Sequence, residues 1–365
     1  MRESLLPPAS LARYADAIVR ASLGIEKDDT LVVQGEPEHR ELLVAVAESA
    51  YRAGARFVDV VTVDPLVMRA RLLHGSDDAL GALSPWSRRR LREASGPHGA
   101  LVHITGEGEA GYLDGVPPGR IATDYSRLAK QLGFLRRAQL DLRARWIIAG
   151  WPTDHWAGQV YPELEPLKAK RRLADDLVRF CRLADDDGKG TSGWTTHLRT
   201  LSRRSTRLTK LGLSRLELRS PGTELDVGFV EGTRWLGGFD TLVDGRKLAA
   251  NMPTEEVFTS PDPRRTTGTF RCTFPLSFRG RRGGGGEDRD RNRLPSQICQ
   301  APSRISGIRR PRASKPVASS SGPPIMTSRW IAERFNPRAG VSERVPPKPL
   351  PKAMWAAAFS SSRVL

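Results

Sequence analysis

The sequence predicts an α/β domain at the N-terminus, followed by the start of a β-rich domain and then by a disordered basic tail. Three observations lead to this prediction. Short β-branched runs alternate with amphipathic helical stretches through the first half of the chain, as in folds with a mostly parallel sheet. Short strands with glycine turns begin near residue 213. The composition changes abruptly after residue 280.

The first domain opens with a helix, because apolar side chains in residues 10–23 recur at spacings of three and four. A strand follows at 30–33, then a second helical stripe at 42–51, with Gly54 where a C-capping glycine belongs. The other elements predicted here are strands at 57–63, 100–105 and 146–149 and helices at 86–93 and 120–142. A basic helical stretch at 161–211 completes the domain, which is expected over residues 1–212.

The second domain is expected over residues 213–280 and to be truncated there. Its predicted strands lie at 216–218, 225–227, 234–236 and 268–276. Within it, residues 251–261 read Asn-Met-Pro-Thr-Glu-Glu-Val-Phe-Thr-Ser-Pro, and the Glu-Val-Phe-Thr part resembles a strand. Successive side chains of a strand face opposite sides, so only one of Glu255 and Glu256 can point into a site. A carboxylate fixed in this way suits a divalent metal, although two adjacent glutamates are also common as a solvated surface pair.

Composition excludes several classes of protein. The chain has 365 residues, of which 39% are hydrophobic and 27% charged, and no apolar run approaches the roughly 18 residues of a membrane span. No apolar core of signal-peptide length occurs near the N-terminus, so a cytoplasmic protein is expected. The three cysteines show no CxxC spacing, which argues against a disulfide framework and a cysteine zinc site.

The net charge of +17 is distributed unevenly. Residues 281–365 hold 17 of the 58 Lys and Arg and 5 of the 41 Asp and Glu, which leaves +5 for the first 280 residues. Leu, Ile, Val and Phe make only 14 of these 85 tail residues, too few for a core in so charged a segment. We therefore expect residues 281–365 to be a low-complexity tail, either disordered or translated out of frame.

Two glycine-rich motifs do not fit a nucleotide-binding site. Residues 106–111 satisfy GxGxxG after a strand, but Glu107 and Glu109 would repel a pyrophosphate, and the prolines at 117 and 118 prevent a helix from starting directly after the motif. Residues 188–191 read Gly-Lys-Gly-Thr and do not complete a P-loop. Leu183 stands where the first glycine of the motif is required, and Gly190 stands in place of its Ser/Thr. No cofactor of the nucleotide type is predicted. The six histidines show neither HxxxH nor HExxH spacing, and structural roles are expected for them.

Several segments, taken in order, resemble the thermophilic aminopeptidase T family of metallo-aminopeptidases, which includes aminopeptidases S and II. These are residues 11–16 (LARYAD), 50–55 (AYRAGA), 222–225 (GTEL), 231–238 (EGTRWLGG), 253–259 (PTEEVFT) and 275–278 (PLSF). The resemblance covers about residues 8–280. It implies an α/β domain before a β-rich catalytic domain, a homodimer, and removal of N-terminal amino acids from peptide substrates at a site with two divalent metal ions, such as zinc, cobalt or magnesium.

In this family the metals polarise the scissile carbonyl and activate a bridging water. The first metal-ligand glutamate of the family maps onto Glu256, and Glu255 is the weaker choice. The resemblance places the remaining ligands, which include two histidines, after residue 278, where this chain has no histidine and no tyrosine. The metal site is therefore expected to be incomplete, the activity to be impaired, and the catalytic residues to be unassigned.

Two hypotheses account for the tail. In the first, the coding sequence changes reading frame shortly after Gly280, since Arg, Pro, Ser, Gly and Ala make 53 of the last 85 residues, as out-of-frame translation of GC-rich DNA would give. In the second, the protein is non-catalytic and its basic tail binds nucleic acid through phosphates. The tail has few aromatics and no recognisable module, so a nucleic-acid partner is the less favoured alternative.

Overall fold

The computed structural model describes residues 3–106, 108–109, 111–184 and 190–270, together with the backbone of 277–278 and 281–282. Apart from the backbone of residues 281–282, the tail for which disorder and nucleic-acid binding were predicted lies outside the described residues. The helices are α1 Pro8–Asp16, α2 Arg40–Arg52, α3 Pro65–His74, α4 Pro85–Ala94, α5 Pro118–Gln131, α6 Gly133–Leu140, α7 Asp154–Val160, α8 Pro166–Phe180 and α9 Ser192–Lys210.

Twelve strands form four sheets in the described part. The strands are β1 Thr30–Gly35, β2 Phe57–Thr62, β3 Gly99–Thr105, β4 Arg145–Gly150, β5 Arg215–Ser220, β6 Thr223–Phe229, β7 Asp240–Thr241, β8 Lys247–Leu248, β9 Asn251–Met252, β10 Pro261–Thr269, β11 Ser277–Phe278 and β12 Arg281–Arg282. The chain is therefore α/β in its first part with a parallel sheet, as predicted.

The main sheet has the strand order β2-β1-β3-β4-β9, and all of its pairs are parallel. Strands β1, β3 and β4 are buried along nearly their whole length, because helices cover both faces of a parallel sheet. Helix α2 packs on β1 and β2, and α4 packs on β1 and β3. Strand β2 lies at the edge of the sheet, and only Val58 of its six residues is buried.

The core joins this sheet to α1 and α9. The first helix continues after Asp16 as a π-helical turn over Ala17–Ser22, so the predicted helix at 10–23 is confirmed in extent but changes its hydrogen bonding. The Tyr14 hydroxyl donates to the Gly150 carbonyl at 2.9 Å, and Trp194 Nε1 donates to Ser22 Oγ at 3.0 Å. These bonds satisfy the polar atoms of two large side chains that are fully buried.

Most of the predicted elements of residues 1–212 are confirmed to within a few residues. Helix α3 was not predicted; it begins where Asp64 accepts a hydrogen bond from Leu66 N at 2.8 Å, ahead of Pro65 at its first position. The predicted helix at 120–142 is two helices, which meet at Leu132.

The second part of the chain differs more from its predictions. Strands β5, β6 and β10 form an antiparallel sheet, which contains the predicted strands at 216–218 and 225–227. Strand β10 ends at Thr269 and contains the first two residues of the predicted strand at 268–276, whose part from residue 271 lies outside the described residues. The predicted strand at 234–236 is wrong, because that segment makes only one bridge, from Leu236 to Phe258.

Candidate metal-binding site

The candidate ligand Glu256 lies in a pocket beside the edge strand β9. This two-residue strand adds to β4 in parallel, with Asn251 opposite Ile148. The residues after β9 then leave the sheet without regular structure. The pocket is lined by Leu142, Trp146, Gly237, Gly238, Asp240, Leu248, Ala250, Asn251, Thr254, Glu256 and Phe258.

The two adjacent glutamates face different surroundings. Glu255 is exposed, and its carboxylate forms an ion pair with the Arg182 guanidinium. Its other oxygen lies 3.7 Å from His197 Nε2. Glu256 is half-buried and lines the pocket. The geometry therefore agrees with the choice of Glu256 as the inward carboxylate, whereas its role as a metal ligand stays a prediction.

The prediction that Glu-Val-Phe-Thr forms a strand is wrong. In residues 253–260 only Phe258 is bridged, through Leu236 N to Phe258 O at 2.7 Å and Phe258 N to Leu236 O at 2.9 Å. The two glutamates still have different surroundings, because Glu255 pairs with Arg182, while Glu256 lines the pocket. The Thr254 carbonyl before them accepts a hydrogen bond from His197. These contacts are tertiary and do not depend on strand pairing.

Burial raises the pKa of the Glu256 carboxyl to about 7. Among the described residues, no hydrogen-bond donor or cation contacts this carboxyl to offset the loss of solvent. The group is therefore partly protonated near neutral pH in the described surroundings. A cation placed beside it would displace this proton, since a metal binds the carboxylate form.

His197 anchors the segment that carries the pair. Its Nε2 donates to the Thr254 carbonyl at 2.7 Å, which requires the tautomer with hydrogen on Nε2. Burial lowers the pKa of His197, while the bond to Thr254 acts in the opposite direction. The imidazole also lies 5.8 Å from the Trp194 ring, centroid to centroid. A mostly neutral histidine thus holds the backbone two residues before Glu256.

Two consecutive glycines complete the wall of the pocket. A Cβ on Gly237 would lie 2.7 Å from Val257 Cγ1 and 2.8 Å from the Glu256 carbonyl oxygen. Gly238 has a φ of +76°, and a Cβ there would lie 2.1 Å from the Leu198 carbonyl oxygen. Only glycine allows both approaches without a shift of backbone. This explains the Trp-Leu-Gly-Gly part of the resemblance as a close contact between α9 and the Glu256 segment.

The residues of the pocket do not by themselves fit a metal ion. Asn251 Oδ1 is buried and has no hydrogen-bond partner among the described residues, and Asp240 lines the same pocket, so oxygen donors are present. However, the part of the chain that the structure describes contains no group of three or more His, Cys, Asp and Glu side chains that could hold an ion. Protein zinc sites use three or four such ligands, so Glu256 supplies only one of the ligands that a metal ion needs.

The glycine-rich loop after β3 contacts the carboxylate of Glu36. Gly108 N donates to Glu36 Oε2 at 2.9 Å, at the carboxyl end of the parallel sheet. Glu36 N in turn donates to His39 Nδ1 at 3.0 Å. Next to them Lys170 pairs with Glu38 at 2.9 Å and with Asp154 at 3.3 Å. This edge of the sheet, where α/β proteins often bind ligands, is occupied by the chain's own side chains.

Comparison with known proteins identifies the family. The family model described as thermophilic metalloprotease (M29) matches residues 8–282. The chain belongs to this M29 family. The matched range agrees with the resemblance predicted over residues 8–280, and the tail beyond it is not matched, so both parts of that prediction are confirmed.

The M29 relatives show how much of the family length is present. Aminopeptidase T of Thermus thermophilus is 28% identical over 271 residues, which cover 74% of this chain and 66% of that protein. Aminopeptidase 2 of Geobacillus stearothermophilus is 30% identical over 270 residues, which cover 74% and 65%. The solved structure of wild-type AmpT from Thermus thermophilus matches with a TM-score of 0.64, over 74% of this chain and 66% of that one. The chain thus spans slightly less than two thirds of each relative.

Sequence reasoning missed the residues that position Glu256. Arg182 follows α8, and His197 lies in α9, so both are distant in sequence from the glutamates. The histidine was assigned a structural role without a partner, and the arginine was one of many in a basic stretch. The only signal in the sequence was the resemblance itself, in which the segment at 253–259 follows the segment at 231–238.

No helix that could span a membrane was found among the described residues.

Proposed function

We propose that this M29 chain is a metal-dependent aminopeptidase by descent, with Glu256 as its first metal ligand, and that the chain itself has negligible turnover. The observation that carries the proposal is the place of Glu256. Within a family match over residues 8–282, the inward carboxylate of the PTEEVF segment lines a pocket, and its neighbour Glu255 is held outside by Arg182.

The proposed impairment follows from the donor set. The described residues supply the carboxylates of Glu256 and Asp240 and the amide oxygen of Asn251 to the pocket, and the sequence after residue 282 contains no histidine. Two divalent ions, whether zinc, cobalt or magnesium, need more ligands than this. The change of reading frame after Gly280 is part of the proposal, and the end of the family match at residue 282 supports it.

The decisive assay measures release of leucine from a short peptide with added Co²⁺, Zn²⁺ or Mg²⁺. We expect no turnover by this chain, and metal-dependent turnover by a version in which the alternative frame is restored after residue 280. In the restored version Glu256→Gln should abolish turnover, and Glu255→Gln should preserve most of it. Strong activity of the present chain would refute the impairment, and an inactive restored version with intact fold would refute the choice of family activity.

The homodimer and the cytoplasmic location belong to the same proposal and rest on the family resemblance. Light scattering of the purified chain tests the homodimer, since a monomer at micromolar concentration would contradict it.

The alternative, nucleic-acid binding by the tail, is tested by DNA retention. Retention that disappears when residues 281–365 are deleted and persists in a tail-only peptide would favour that alternative over the enzymatic proposal.

A further inference from the structure

One side of α9 is a strip of cations. Arg199, Arg203, Arg207 and Lys210 follow each other at spacings of four, four and three residues, so they share one side of the helix, and Arg204 adjoins them. All five side chains are exposed, and α9 contains no Asp or Glu. None of the five pairs with a carboxylate in the described residues. We call these five residues the basic face.

The basic face concentrates the charge of the family-like part of the chain. The five cations carry +5, which equals the net charge of the first 280 residues. Elsewhere exposed arginines commonly lie beside carboxylates, as Arg143 does with Asp141 at 2.5 Å. A strip of uncompensated like charges costs self-repulsion and raises the local concentration of anions. The strip therefore fits a partner with regularly spaced negative groups.

Helix α9 also supports the Glu256 pocket, and the basic face lies on the side of the helix next to the one that contacts the pocket. Ser202 Oγ donates to the Gly237 carbonyl at 3.2 Å and accepts from Phe239 N at 2.9 Å. Near the end of the helix, Thr209 Oγ1 accepts from Trp235 N at 2.9 Å. Ser202 is three residues after Arg199, so these two side chains are neighbours on the helix surface. The cations are thus carried on the same rigid element that fixes the glycine wall of the pocket.

We propose that the basic face binds acidic side chains in the downstream part of a peptide substrate of the Glu256 pocket. This inference rests on the proposed function and names its substrate class, peptides with acidic residues at alternate positions. Residues four apart on a helix rise about 6 Å, and alternate residues of an extended peptide are about 6.6 Å apart. The 12 residues from Arg199 to Lys210 extend over about 16 Å, the length of roughly five extended residues.

The residue types favour this partner over nucleic acid. Four of the five cations are arginines, whose planar guanidinium binds a carboxylate through two hydrogen bonds. Helix α9 exposes no aromatic ring on which a base could stack, since Trp194 is fully buried. Ser202, which neighbours Arg199 on α9, contacts Gly237 of the pocket wall, and this places the basic face near a peptide path.

The test measures binding by the full chain with fluorescence anisotropy at low ionic strength. The probe is a labelled heptapeptide, Ala-Ala-Glu-Ala-Glu-Ala-Glu, with a matched peptide carrying Gln for each Glu and a labelled single-stranded oligothymidylate. The variant is Arg199→Gln with Arg203→Gln and Arg207→Gln. Its control, Arg89→Gln with Lys130→Gln and Arg137→Gln, removes the same charge from exposed side chains on α4, α5 and α6 that lack ion pairs among the described residues.

We expect the Glu peptide to bind more tightly than the Gln peptide, and its Kd to rise about tenfold in the α9 variant and less than twofold in the control. Thermal unfolding of both variants establishes that each is folded. Equal weakening by the two variants, or equal binding of the Glu and Gln peptides, would overturn the proposal. Tighter binding of the oligothymidylate, lost in the α9 variant, would assign the basic face to nucleic acid instead.

Binding and turnover separate this inference from the proposed function. If the anisotropy results hold while the frame-restored version hydrolyses no peptide, the proposed activity fails and the peptide-binding face stands. If the restored version is active and the Glu peptide binds no better than the Gln peptide, the basic face is refuted and the activity stands.

Discussion

His197 Nε2 donates a hydrogen bond of 2.7 Å to the carbonyl oxygen of Thr254, which connects α9 to a segment 57 residues later in the chain. Together with the ion pair between Arg182 and Glu255, this bond fixes the backbone just before Glu256. The direction of the Glu256 side chain is therefore determined by helices that precede it, and by no strand of its own.

Loss of the His197 bond should loosen this segment. We expect His197→Ala to lower the free energy of unfolding by about 1–2 kcal/mol, because the buried Thr254 carbonyl loses its donor. Hydrogen exchange of the amides of residues 254–258 should accelerate more than that of β1. His197→Gln keeps an N–H donor at this position and should lose less free energy of unfolding than His197→Ala. Unchanged exchange in the alanine variant would contradict the anchoring role.

The raised pKa of Glu256 should make stability fall as pH rises. The group binds its proton more tightly in the folded chain than its ordinary value of 4.5 allows, so its contribution is complete below pH 4.5 and is lost as pH rises through about 7. Glu256→Gln removes this dependence. Relative to the unsubstituted chain, the variant should gain about 1–3 kcal/mol of stability between pH 5 and pH 8 in urea unfolding without added metal.

Glu255→Gln is the matched control for this pH profile, since it removes the adjacent carboxyl that pairs with Arg182 outside the pocket. It should show no comparable gain over the same pH interval. If the two variants have parallel profiles, the burial of Glu256 is not the cause of the dependence.

Gly238 should tolerate no side chain. Gly238→Ala requires a positive φ of an L-residue and drives Cβ into the Leu198 carbonyl, so we expect a loss of about 2–4 kcal/mol. Gly245 has a similar φ of +86° but nothing within 4 Å of its ideal Cβ, so Gly245→Ala should cost only about 1 kcal/mol. Thermal unfolding of the two variants separates backbone strain from the close contact, and equal losses would show that the contact is unimportant.

A buried ion pair joins the residue before β1, Asp29, to the first residue of β4, Arg145. Arg145 Nη1 and Nη2 lie 2.6 Å from the two carboxylate oxygens of Asp29, and both side chains are at most 3% exposed. Asp29→Asn should cost about 3–5 kcal/mol, because it leaves a buried guanidinium without its counter-charge. Asp141→Asn, which breaks the exposed pair with Arg143, should cost less than 1 kcal/mol. Similar losses in urea unfolding would contradict the role of burial.

The sequence by itself determined the α/β character, the four long strands of the parallel sheet and most of the helices of residues 1–212. These elements are predicted by the spacing of apolar residues that lie close together in the sequence. The resemblance of six segments to a known family predicted the range of the match, and the composition of residues 281–365 marked the tail. The sequence likewise located the PTEEVF segment as the place of the candidate ligand.

Only the tertiary structure decided how that segment is used. The two-residue strand β9 pairs with β4 about a hundred residues earlier, and such pairing leaves no local pattern. Glu255 and Glu256 are identical in type and adjacent, so the choice between them depends on where the fold places Arg182 and His197. Contacts between residues 57 and 73 positions apart turn one carboxylate outward to a cation and leave the other in the pocket.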